Sequence, residues 1–156
     1  MVKAAMAIKE QLTNGITVTY HDESRRIAAD RWLVKLRCEA SLPWQAWMDE
    51  VLSGDPQEQA AFCRQFFDGR LCYETVRERN FIDETEKEKL FRELCRSFAD
   101  NALRYLERED FVRQLFVTRR SEYVEQYLLL QQSQYHSLVD DGNESPEPTD
   151  FSACFQ

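Results

Sequence analysis

The chain has 156 residues, 43% hydrophobic and 31% charged, with a formal net charge of −8. That length supports one compact domain with a core of its own, without staples. Its four glycines (Gly15, Gly54, Gly69, Gly142) lie far apart, which excludes the glycine-rich phosphate loops of nucleotide-binding folds.

The apolar run near the N-terminus, Ala4 to Ile8, is too short for a signal-peptide core. No other run approaches a membrane span, the strongest being Tyr127 to Leu130. Ile16, Val18 and Tyr20 alternate with Thr17, Thr19 and His21, the period of a strand with one buried face. Thr13-Asn14-Gly15 precedes it as a hairpin signal. A three-residue loop with Gly15 left-handed pairs Leu12 with Ile16 and Ile8 with Tyr20 and keeps one face apolar. The competing reading is a short helix that ends at Asn14-Gly15. Trp32, Val34, Leu36 and Cys38 alternate with Leu33, Lys35, Arg37 and Glu39 and predict a third strand. Residues 22–30, rich in charge, are expected as the loop between the second and third strands.

Helical spacing begins after Pro43 with Trp44, Trp47, Met48 and Val51. Asp55-Pro56-Gln57-Glu58 reads as a capping box with proline at the first helical position. Asp68-Gly69 reads as the helix stop. Residues 70–80 alternate as a fourth strand. Asp83 opens the longest predicted helix, with Asp83–Lys87 and Glu88–Arg92 as i,i+4 pairs. Glu109-Asp110 starts another helix, and Thr118 or Ser121 caps a last one. From Ser137 the chain turns acidic and carries Pro146 and Pro148, which predicts a disordered tail over 137–156 behind a single domain of 1–136. The fold class expected is α+β, a small antiparallel sheet of three N-terminal strands and a later fourth, packed against four or five helices.

Function is less legible. The tail acids Asp140, Asp141, Glu144, Glu147 and Asp150 carry five of the eight excess negative charges. The body is therefore close to balanced (−8 + 5 = −3), which argues against a nucleic-acid binder. The five cysteines form no CxxC pair, and the two histidines are 115 residues apart, so neither a metal site nor a cofactor is expected. Free cysteines within apolar patterns point to a reducing, cytoplasmic setting. His21-Asp22-Glu23-Ser24 holds the letters of a hydrolase triad, but neighbouring strand residues point to opposite faces, and no nucleophile elbow accompanies them.

Fifteen of the twenty basic residues are Arg. Arg25, Arg26 and Arg31 gather near one loop and could hold a carboxylate or phosphate. The acids among them, Asp22, Glu23 and Asp30, favour ordinary surface ion pairs. Arg77 and Arg79 share one strand face. Trp44 and Trp47 could line a pocket or an interface, although their spacing also suits a core. The aromatic stripe from Phe91 to Tyr127 is core by default and secondarily a homodimer seam. The expectation is a non-catalytic cytosolic interaction or regulatory module with a protein partner and no membrane. The alternatives are a small-ligand binder or enzyme with a pocket near Trp44, Trp47 and Tyr73, and a nucleic-acid accessory protein that uses the 22–31 loop.

Overall fold

The computed structural model describes residues 7–140. Five strands form one antiparallel sheet: β1 (Ile8–Gln11), β2 (Thr17–Asp22), β3 (Arg25–Ala28), β4 (Arg31–Pro43) and β5 (Arg70–Asp83). Four helices complete the fold: α1 (Ala46–Leu52), α2 (Gln57–Phe67), α3 (Lys87–Leu106) and α4 (Glu109–Asp140). The class is the expected α+β. The long β4 lies at the centre, with β2 and β3 end to end along one edge and β5 along the other.

The first hairpin has the three-residue loop. Ile8 faces Tyr20, the Leu12 N–H donates to the Ile16 carbonyl at 2.8 Å, and Gly15 takes φ 89°. A side chain at that φ would be strained, so glycine fixes the register. The helix reading of this segment is thereby excluded over Ile8–Gln11.

The predicted 22–30 loop is a correction. The chain stays paired to β4 on both sides of a break at Glu23 and Ser24, with Asp22 opposite Leu36 and Arg25 opposite Leu33. At the break the Ser24 hydroxyl accepts the Lys35 N–H at 3.0 Å, and the Glu23 N–H donates to the Lys35 carbonyl at 2.9 Å. Both backbone groups of Lys35 are thus satisfied without a continuous ladder. The connection itself is only Ala29-Asp30, between Ala28 and its partner Arg31. All four β3 residues are exposed, so no alternation marks them as a strand, and the sheet has one strand more than predicted.

Even-numbered residues of β4, from Val34 to Leu42, are buried against the helical layer with Val18, Tyr20, Leu71, Leu94, Phe98, Val112 and Phe116. Tyr20 meets the Phe98 ring edge-on at 5.7 Å, which joins sheet to α3. α3 packs on β4 and β5, and α4 packs on α2 and α3.

The ends of α2 follow the signals, with different chemistry at its start, whereas Asp83, the expected opening of the next helix, is the last residue of β5, which runs past the expected end at 80, and α3 begins only at Lys87. The Asp55 side chain does not cap α2. It is only 7% exposed and forms a two-pronged pair with Arg120 of α4, Nε to Oδ2 being 2.8 Å. Asp68 takes the left-handed C-cap at φ 51°, ahead of Gly69. Neither i,i+4 pair expected at the start of α3 forms. Asp83 accepts from the Thr85 backbone and hydroxyl, Lys87 stands 3.6 Å over the Trp32 ring, and Arg92 donates to the Glu88 carbonyl. The segments expected as two helices after residue 109 are one helix of 32 residues, longer than α3. That helix also continues through residues 137–140, past the boundary expected at 136. The rest of the expected tail, including Cys154, lies outside the described residues.

Candidate interaction surfaces

The five residues singled out by sequence fall into two groups at opposite ends of β4. Arg31 opens that strand and Trp44 follows its last residue, and the thirteen residue steps between them at strand rise span roughly 40 Å. They do not form one site.

Arg25, Arg26 and Arg31 do come together on the β3–β4 hairpin. Two of the three are matched by acids. Arg26 reaches Glu84 at 3.3 Å, and Arg31 reaches Asp83 at 3.5 Å and Asp30 at 3.6 Å. Asp83 is held below the ordinary carboxylate range, mainly by the hydrogen bonds from Thr85, with a smaller contribution from Arg31. All these side chains are well exposed, so each pair contributes little. Across β4 from this hairpin, β5 bulges at Asn80-Phe81, where Phe81 takes φ 57° and is 72% exposed. A bulky residue in left-handed backbone is strained.

Trp44 and Trp47 pack round Phe116, with ring centroids at 6.0 and 5.1 Å. Phe67 stacks on the same ring at 4.9 Å, while Phe66 of the same helix turns outward. The two tryptophans are thus mainly core, as their spacing allowed. Trp47 also borders a solvent-open groove of about 420 Å³ with Asn14, Gln45, Glu107, Glu109 and Arg113. Its indole N–H donates to Gln45, and Arg113 lies 4.8 Å over its ring, so Trp47 already engages both of these polar neighbours.

The sheet face away from the helices is polar. Arg37 is its hub, reaching Glu23 at 2.6 Å, Glu39 at 3.3 Å and Glu74 at 3.7 Å, with Lys35 on Glu23 at 3.1 Å. The hydrogen bonds from Arg37 and Lys35 hold the Glu23 carboxyl below its usual range. The triad letters dissolve here: Asp22 accepts the Ser24 N–H, Ser24 accepts from Lys35, and Glu23 serves Arg37. Arg77, on the opposite face, donates to Ser97 at 3.2 Å, and Arg79 donates to the Glu78 carbonyl. Among the described residues, no His, Cys, Asp and Glu cluster is placed to hold a metal ion. Burial raises the thiols of Cys38, Cys63, Cys72 and Cys95, that of Cys38 to about 12, which suppresses nucleophilic thiolate.

One surface went unread in the sequence. Beyond Tyr127, whose ring meets Phe62 at 5.3 Å, every residue of α4 from Leu128 to Val139 is exposed. Leu128, Leu129, Leu130, Tyr135, Leu138 and Val139 lie on this arm, each about half exposed or more. Residues 126–139 contain no Asp, Glu, Lys or Arg, in a chain that is 31% charged. That gap in charge was the available signal. Three consecutive leucines also cannot all face one core from a helix.

The fold and these surfaces define a two-layer α+β protein with a projecting helical arm. No protein-family model, curated protein or solved structure matches the chain. No helix among the described residues is long and apolar enough to cross a membrane.

Proposed function

We propose that this protein is a non-catalytic, cytosolic interaction module whose principal contact surface is the α4 arm. The observation that carries this reading is the run of six exposed large apolar residues within twelve positions of a helix that leaves the body. A patch of that kind marks a binding surface in proteins that stay soluble. Of the six, Leu128, Tyr135, Leu138 and Val139 share one side of the helix, a standard element of groove and helix–helix recognition. The raised thiols and the internally matched polar groups fit a role without covalent chemistry. The four described cysteines are free, in keeping with a reducing compartment. The hairpin arginines make a secondary surface, since the acids beside Arg26 and Arg31 already occupy them.

The test compares two variants as baits in native extract. L128K/L138K is expected to lose the proteins retained by the wild-type chain. R25A/R26A/R31A is expected to keep most of them. Identical sets of bound proteins on wild type and L128K/L138K would refute the arm as the contact surface.

A further inference from the structure

We infer that the arm binds the arm of a second copy, antiparallel, with the two-fold axis at the level of Ser133. This rests on the arm being the contact surface and names its occupant.

Helical spacing gathers Leu128, Gln131, Tyr135 and Leu138 on one side of the arm, with Val139 beside them. The steps between the first four are three, four and three residues. That series reads the same in both directions, so a reversed copy places like layers together. Leu128 meets Leu138 of the second copy, and Gln131 meets its Tyr135. The axis passes at the level of Ser133, whose own side chain lies on the far side of the helix. The Leu layers lie at the two ends, and a Gln amide faces a Tyr hydroxyl between them. An amide both donates and accepts, so it suits the phenol in either role. Antiparallel helices also oppose their macrodipoles.

Charge selects the occupant. Two identical charged segments repel when brought together, and this segment has no Asp, Glu, Lys or Arg from 126 to 139. A strongly charged partner helix would find no ion pair here and would desolvate its own charges. The arm itself meets the requirement of an apolar, uncharged, helical partner. Clearance agrees as well. Tyr127 makes the last ring contact with the body, and the twelve residues beyond it extend about 18 Å at helical rise. A contact along only about 18 Å of one helix is short for the ~800 Å² per partner of a standard interface, so the dimer is reversible.

The experiment is sedimentation equilibrium of the full chain over a micromolar to millimolar range, with L128K and L138E measured separately and mixed. The wild type is expected to move from 18.5 kDa toward twice that mass as concentration rises. Each variant alone is expected to remain monomeric, with wild-type helicity by circular dichroism because both positions are exposed. The equimolar mixture is expected to recover the dimer, since the lysine introduced in one chain then faces the glutamate introduced in the other and the second Leu layer is intact. A wild type that stays monomeric throughout overturns the proposal, as does a dimer that persists in either single variant. Failure of the mixture to recover, with a dimeric wild type, overturns the antiparallel register. A monomeric wild type whose L128K/L138K variant still loses proteins from extract refutes self-pairing alone and leaves the arm as a contact for a different protein.

Discussion

Phe81 shows how a single residue can be held against its own preference. Its backbone lies at φ 57°, in a region that costs a bulky L-residue about 1–2 kcal/mol, and the residue is 72% exposed. Burial therefore returns little of that cost. Replacing it with Gly relieves the strain and loses ~0.5–1 kcal/mol to chain entropy. F81G is accordingly expected to melt at or a few degrees above the wild type, read by differential scanning calorimetry. Phe98 is the contrast: it is fully buried against Tyr20, and F98A is expected to lose about 3–5 kcal/mol. Arg120 belongs with Phe98 in importance, since it answers an Asp55 carboxylate that has almost no water.

At the scale of elements, the β1–β2 loop does more than reverse the chain. The Asn14 side chain donates to the Leu106 carbonyl at 2.9 Å, at the last turn of α3, and accepts from the Ile16 N–H at 3.3 Å. It thereby serves the last carbonyl of the helix, while those of Leu103 and Tyr105 accept from Glu107 and Arg108. N14A is expected to lower stability by about 1 kcal/mol, seen as a lower urea midpoint with an unchanged slope. The loop register was legible because a buried face alternates, and a shift by one residue would expose it. β3 was not legible, because Arg25 to Ala28 have no buried face to alternate against. The break predicted inside α4 rested on Thr118 and Ser121, whose capping tendency is local. Phe116 and Tyr123 both pack on Phe67, and that shared contact keeps the helix continuous. The arginine cluster was legible, but its partners Asp83 and Glu84 lie more than fifty positions away in the chain. The missing charge of the arm could be read from sequence, whereas its projection from the body depends on where packing ends.

For the molecule as a whole, burial of thiols contributes to the response to alkali, as does burial of Tyr20 and Tyr123. Cys38 is raised to about 12, and Cys63, Cys72 and Cys95 are raised as well, all chiefly by burial. A folded-state value above the unfolded one means that the unfolded chain loses its protons first as pH rises. The stabilisation is complete below the unfolded value, near 8.5, and is lost as pH climbs toward 12. Melting temperature is therefore expected to hold level to about pH 8.5 and fall beyond it, with a shallower fall in C38A. The same whole-molecule view applies to β5, which has a strand neighbour on β4 alone among the described residues. An open edge of fourteen residues is a template for runaway stacking into fibrils. Arg70, Glu74, Arg77, Glu78 and Arg79 fill half of its first ten positions, and the bulge at Asn80-Phe81 bends the strand's last residues away from that line. Growth along that edge would strip water from five charges per added chain, so at high concentration the protein meets a barrier to filament formation built from its own side chains.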